Sequence, residues 1–244
     1  MTAATDHWSR RRLLTRAAGG LAAGSVLGSG RVAGADAALD VQILQTASSL
    51  EALAVSTYAA ALGEGPVGPE APAARALAAV GTPRARATVT AFVRDSLRRH
   101  GEHGRAFQTQ TAALGGRVQA APHPRFLALV GGADLSTPVK LVDLAATLEK
   151  IAVDSYLLNL SMLQDHRSKE LVAGVMAVGS QHPATLRALS SLLAAGVPQF
   201  VAVPFPLADM LALPTGVGSV ATPDAFHEVS GQELIAEPAS GAVR

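Results

Sequence analysis

The chain has 244 residues, no cysteine, 16% charged residues and a formal charge of +1. Without cysteine, disulfide scaffolds, zinc ribbons, iron–sulfur sites and thiol nucleophiles are excluded. With 49% hydrophobic residues the chain is not disordered, and it shows no basic face for nucleic acid.

The N-terminus reads as an export signal. Ser9-Arg10-Arg11-Arg12-Leu13-Leu14 precedes a Gly- and Ala-rich apolar run from Ala17 to Leu27, and Ala33-Gly34-Ala35 offers a small-residue processing site. The paired arginines resemble a twin-arginine signal, so residues 1–35 are expected to direct export to an extracytoplasmic place: periplasm, cell envelope or medium. The run is too short and Gly-rich to span a membrane, and no later segment qualifies, so the mature chain is expected to lack an integral span. Removing the five arginines and one aspartate of residues 1–35 leaves 15 basic and 18 acidic residues, a charge of −3.

The mature chain predicts four long helices. Alanine supplies 49 residues and aromatics only 4%, a mixture that favours helix over strand. The first helix is expected over 38–62, stopped by Gly63-Glu64-Gly65-Pro66, and a short Ala-rich helix over 71–80 comes next. The second is expected over 86–114, ending at Gly115-Gly116. A Pro- and Gly-punctuated connection over 115–136 is long enough to cross the bundle. The third is expected over 136–164, opened by Ser136-Thr137-Pro138, and the fourth over 168–195, closed by Gly196-Val197-Pro198. The expected organisation is a signal over 1–35, an all-α four-helix bundle over 36–200, and a Pro-rich, irregular C-terminal extension over 201–244 that wraps the bundle and loses order toward its end.

Helices one and three repeat one another at an offset of 98 residues. Ala47, Leu50, Glu51, Ala54, Val55, Tyr58 and Leu62 recur as Ala145, Leu148, Glu149, Ala152, Val153, Tyr156 and Leu160. Shared Ala and Leu composition explains part of this, but not the Glu and Tyr, since the chain has only two tyrosines. Leu44, Ser48, Glu51, Val55, Tyr58 and Leu62 follow the spacing of one helix face, and Glu149 sits in a similar stripe. A carboxylate in a dry core must be paired or coordinated. Helices two and four offer partners: His100 and His103 share a face at i, i+3, and His182 matches His103 at an offset of 79.

This layout resembles the ferritin-like superfamily. In its di-metal bundles two helices each give one Glu and two give a Glu-x-x-His. Within that superfamily the chain is most similar to the exported bacterial branch related to plant desiccation-related ferritin-like proteins. The resemblance rests on the Leu-Glu…Tyr pattern used twice and on the central histidines. It implies a ferritin-like bundle with a long crossover over roughly residues 38–200, and a metal site from some of Glu51, His100, His103, Glu149 and His182. Tyr58 and Tyr156 read either as core residues with satisfied hydroxyls or as donors to a ligand carboxylate.

The pattern is depleted. His100 and Gly179 stand where the two Glu-x-x-His glutamates belong, and Pro183 directly after His182 is expected to kink the fourth helix. Two carboxylates with neutral imidazoles supply −2, which suits one divalent ion, Fe, Mn, Zn or Cu, better than two. Without metal, Glu51 and Glu149 would instead pair with protonated His103 and His182, or with Arg98 or Arg99.

The implied function is an exported metal-binding protein, with metal-dependent redox activity toward dioxygen or peroxide as the catalytic version. The alternative is a non-catalytic envelope, stress or interaction protein on a degenerate scaffold. A homo-oligomer is compatible with either. Gly63-x-Gly65-x-x-Gly68 reads as a turn rather than a dinucleotide loop, because it comes after a helix and contains Pro66. His123, between two prolines, and His166 and His227, in loops, are expected to be exposed rather than functional. Glu102 and the arginines Arg94, Arg98, Arg99 and Arg105 are expected on a solvated face.

Overall fold

A computed structural model describes residues 29–64 and 68–202. The chain divides into two units, Met1–Gly34 and Ala35–Arg244, and the helical bundle lies in the second. The expected signal up to residue 28 and the C-terminal extension from 203, with His227, lie outside the described residues.

The described elements are all helical. They are α1 (Ser29–Ala61), a 3-10 turn (Gly68–Glu70), α2 (Pro72–Ala78), α3 (Pro83–Ala113), α4 (Pro124–Gly131), α5 (Pro138–Leu160), α6 (His166–Gly179), α7 (Gln181–Ala194) and a 3-10 turn (Pro198–Val201). Capping chemistry sets most boundaries. Thr82 and Thr137 each precede a proline at the first helical position and accept from a backbone amide three residues on, Ala85 at 3.1 Å and Lys140 at 3.3 Å. Gly63, Gly115 and Gly196 end α1, α3 and α7 in the left-handed conformation, with φ of 72°, 79° and 71°.

Several expected boundaries move. α1 starts at Ser29 rather than 38, and α3 at Pro83 rather than 86. His123 does not lie free in a loop. It is half-buried and caps α4, accepting from Arg125. His166 heads α6 rather than sitting in a loop, though it is exposed as expected. α5 ends at Leu160, four residues before the expected end, because of Asp40. This carboxylate is 1% exposed and accepts from the backbone amides of Gln164 (2.9 Å) and Asp165 (2.6 Å). Asp165 in turn caps α6 by accepting from the Ser168 amide at 2.7 Å, and its side chain is held by Gln110 of α3.

The expected kink is present as a break. α6 stops at Gly179 and α7 begins at Gln181. Pro183 has no N–H to offer the Gly179 carbonyl four residues back, and its ring crowds that carbonyl. Gly179 is buried, and a Cβ there would lie 3.4 Å from Val153, so α5 and α6 approach closely at this point.

The core falls into two apolar clusters. One gathers Ile43, Leu44 and Leu50 of α1, Phe107 of α3, Ile151 of α5 and Val172 of α6, with Phe126 of α4. The other gathers Tyr58 and Ala61 of α1, Val89 and Val93 of α3, Leu141 and Val142 of α5, and Leu186 and Leu189 of α7. The first half of α1 thus shares a cluster with the second halves of α3 and α5 and with α6. Hence α1 runs parallel to α6–α7 and antiparallel to α3 and α5. Because α3 and α5 are parallel, the 115–136 connection must cross the length of the bundle, and it carries α4 on the way. This is the ferritin-like order, with a long crossover in the middle.

Asp40 is the joint between the third and fourth long helices of the bundle. Asp40→Ala leaves the two amides unpaired and is expected to lower unfolding free energy by about 3 kcal/mol. Asp40→Asn, which retains an acceptor, is expected to lose less. Chemical denaturation monitored by circular dichroism checks both.

Candidate metal centre

Between the two apolar clusters lies a polar layer. Glu51 of α1, His100 of α3, Glu149 of α5 and His182 of α7 are each at most 3% exposed, and His103 lies one turn beyond His100. Their positions follow from the helix periods. Glu51 sits seven residues before Tyr58, His100 lies between Val93 and Phe107 at intervals of seven, and Glu149 sits seven before Tyr156, so each is one of a stripe that faces inward.

His100 is the centre of the layer. Its Nδ1 lies 2.6 Å from Glu51 Oε2 and its Nε2 lies 2.9 Å from Glu149 Oε1. One ring therefore spans the two pseudo-equivalent carboxylates. His182 Nδ1 lies 3.1 Å from the same Glu149 oxygen. His103 Nδ1 lies 3.7 Å from Glu51 Oε2, too far for a hydrogen bond, and is buried without a hydrogen-bond partner.

The tyrosines cross over. Tyr58, on the helix of Glu51, donates to Glu149 Oε1 at 2.6 Å, and Tyr156, on the helix of Glu149, donates to Glu51 Oε1 at 2.5 Å. Of the two roles open for these side chains, both therefore bond a cluster carboxylate. Tyr58 also stacks on the His100 ring, with centroids 5.5 Å apart and planes 18° apart. Ser96, one turn before His100, is buried and offsets part of the rise in the Tyr58 pKa. Sequence reasoning missed Ser96, although its i, i+4 spacing to His100 places it on the same face.

The electrostatics follow from this arrangement. Burial alone disfavours the imidazolium, yet the charge and hydrogen bond of Glu149, joined by Glu51, raise the His100 pKa from 6.5 to about 10. Burial alone would raise the Glu149 carboxyl, but His100 and then His182 hold it at about 2. Glu51 is lowered too, against burial, with His100 its leading partner. Burial and the neighbouring glutamates push both tyrosine hydroxyls well above 10. In the metal-free chain His100 is the cation between two anions.

Of the expected metal-free pairing, His182 with Glu149 is present, and the rest is corrected. Arg98 and Arg99 do not reach the carboxylates. They point outward, Arg98 to Glu102 at 2.8 Å and both arginines to Asp95, on an exposed face. The main partner of Glu51 is His100, not His103.

The donors lie close enough together that a metal ion could be held among them. Glu51, His100 and His103 form one group whose ligand atoms lie within 4.8 Å of one another, and His100, Glu149 and His182 form a second. An ion with bonds of about 2.0–2.2 Å holds neighbouring donors roughly 3.0–3.5 Å apart. The observed separations of 2.6–3.7 Å bracket that range. A small cavity of about 20 Å³, lined mostly by apolar side chains of α1 and α5 such as Leu50, Leu53 and Leu148, reaches Glu51, His100 and Glu149 but not His103 or His182. The residues fit a metal ion once the proton on His100 is displaced. A separate cleft of about 410 Å³, lined by Ala91, Phe92, Asp95, Ser96, Arg99 and His182, opens beside the cluster.

The ferritin-like domain family model matches residues 39–192. The chain belongs to the ferritin-like domain family. No curated protein and no solved structure matches it.

The ion pairs through His100 make stability depend on pH in the metal-free chain. The His100 pKa is raised, so its stabilisation is complete below pH 6.5 and is lost as pH rises from 6.5 to about 10. The Glu149 pKa is depressed, so its stabilisation is present above pH 4.5 and is lost as pH falls toward 2. Both shifts report the same ion pairs and are not added. Thermal unfolding with chelator is expected to show maximal stability between pH 4.5 and 6.5. The alkaline loss, on the order of 4 kcal/mol, is expected to disappear in His100→Gln.

Proposed function

We propose that this ferritin-like chain is an exported metal-binding protein that holds a divalent ion, Fe, Mn, Zn or Cu, at the Glu51–His100–His103–Glu149–His182 cluster. The observation that carries the reading is the buried Nδ1 of His103. It faces a carboxylate oxygen at 3.7 Å with no hydrogen-bond partner. An unsatisfied buried donor or acceptor costs about 1–3 kcal/mol, and a bound ion between it and Glu51 removes that cost. Glu51 is suited to the role, because Tyr156 holds Oε1 and leaves Oε2 turned toward the histidines.

Export through the twin-arginine route, processing near Ala35 and kinship with the desiccation-related branch are part of the proposal. They are supported by the Ser9-Arg10-Arg11-Arg12 run with its apolar and small-residue sequel, and by the doubled Leu-Glu…Tyr pattern. A bound Fe or Mn would supply one-electron redox chemistry toward dioxygen or peroxide. The chain's own part is to hold the ion with Glu and His, to orient the carboxylates through Tyr58 and Tyr156, and to exclude bulk water with the apolar clusters on either side. The cleft beside His182 is the natural approach for a small molecule.

A second reading rests on His100 itself. An imidazolium hydrogen-bonded through both nitrogens pairs with both carboxylates without metal and offsets one of their two charges, as a scaffold for a non-catalytic envelope or stress role would require.

Loading the metal-free protein with each of the four ions, desalting and elemental analysis separates the two readings. Retention of bound ion by wild type and reduced retention in Glu51→Ala is the expected result. Tyr156→Phe is expected to weaken affinity about 10-fold or more through lost orientation of Glu51. A protein that retains none of the four ions supports the metal-free reading.

A further inference from the structure

The two metal-competent groups share one residue, and they share it through different atoms. His100 meets Glu51 with Nδ1 and Glu149 with Nε2. Each carboxylate has its own further histidine, His103 on one side at 3.7 Å and His182 on the other at 3.1 Å. The layer is therefore two half-sites, each of one Glu and one His, on opposite edges of a single imidazole ring. In the family pattern the residue at the position of His100 is a glutamate. A carboxylate there offers two oxygens on the same side, whereas an imidazole offers two nitrogens pointing apart.

We propose that the chain holds two divalent ions bridged by the ring of His100, one bound by Glu51, His103 and His100 Nδ1, the other by Glu149, His182 and His100 Nε2. The proposal rests on the metal-binding reading above and goes beyond it in number and in bridge. Ligation at both nitrogens requires both ring protons to leave to solvent, which turns the ring from a cation into an anion. The ligand charge is then −3 rather than the −2 obtained when every imidazole is counted as neutral. Against two divalent ions this leaves a residual +1, which one solvent anion offsets, and His182 borders the cleft through which such an anion would come.

The two halves are not equal. Glu51 divides its labour, with Oε1 held by Tyr156 and Oε2 facing the histidines. Glu149 uses one oxygen, Oε1, for Tyr58, His100 and His182 together. Both halves must open before an ion enters, the Glu51 half from 2.6 Å and the Glu149 half from 2.9 Å, and Glu149 must in addition share or release the oxygen that Tyr58 holds. The break between α6 and α7 places His182 on the first turn of α7, away from a continuous helix that would constrain it.

The bridge has a metric signature. Two ions across an imidazole, each bonded to nitrogen at about 2.0–2.1 Å, sit about 6 Å apart. Carboxylate- or oxygen-bridged pairs sit about 3.5–4 Å apart.

Copper(II) titration of the metal-free protein, read by elemental analysis and electron paramagnetic resonance, tests this. Two ions per chain are expected, with a signal that grows over the first equivalent and falls over the second as the ring couples the spins. X-ray absorption of the loaded protein is expected to lack a metal–metal vector at about 3.5–4 Å. His182→Gln, which leaves the Glu51 half intact, is expected to bind one ion with a full uncoupled signal. Saturation of wild type at one ion, two ions of full uncoupled intensity, or a vector at that shorter distance each overturns the bridge while leaving the metal site standing. Retention of no ion at all overturns both.

Discussion

Two carboxylates sit in the middle of a dry helical bundle, and the rest of the molecule is arranged around what that requires. Each needs a cation or several donors, because an isolated buried charge is too costly to keep. His100 meets both at once, Tyr58 and Tyr156 add one donor each, and His182 adds another. The apolar residues then collect above and below this layer as two clusters rather than one. Stability does not explain the arrangement. A buried ion pair contributes little compared with well-packed apolar residues of the same volume, and breaking one by removing a single partner costs about 3–5 kcal/mol. Such a layer is no better than leucines for holding helices together and far less tolerant of change, and what it offers instead is two groups of donors that could hold a metal ion.

The departures from the family pattern have different physical consequences at the two positions. At His100 a glutamate is replaced by another strong ligand, so the place is kept and its directionality changes. At Gly179 the ligand is gone, and the space is taken by close approach of α5, with Val153 3.4 Å from where a Cβ would lie. Pro183 comes four residues later and breaks the helix at the same turn. On that side the helix supplies His182 as its one candidate donor, delivered from the start of α7.

Much of the bundle was legible because local chemistry set it. Gly63, Gly115 and Gly196 stop their helices, Thr137-Pro138 starts one, and the break at Pro183 follows from a missing N–H. The two core glutamates stood out because they recur with a tyrosine seven residues on. Asp40 and Asp154 are as deeply buried and gave no such signal, because neither recurs: Asp154 falls opposite Ser56 in the repeat, and Asp40 lies outside it. Asp40 in particular acts on amides 124 and 125 residues away, so the early end of α5 has no local cause. The same limit applies at the site. The i, i+3 spacing of His100 and His103 put both on one face, but which of them lies between the glutamates depends on the rotation of α3 in the bundle. That rotation also turns Arg98 and Arg99 outward.

The crossed tyrosine bonds carry one more consequence. Tyr58 serves the glutamate of α5, and Tyr156 serves the glutamate of α1, so neither repeat can complete its own carboxylate. A one-residue slip of either helix moves both hydroxyls off both oxygens together, which makes the pair a register gauge for the two halves of the bundle. The repeats are therefore interdependent rather than redundant: a substitution at Tyr58 or Tyr156 is felt first at the glutamate of the opposite repeat.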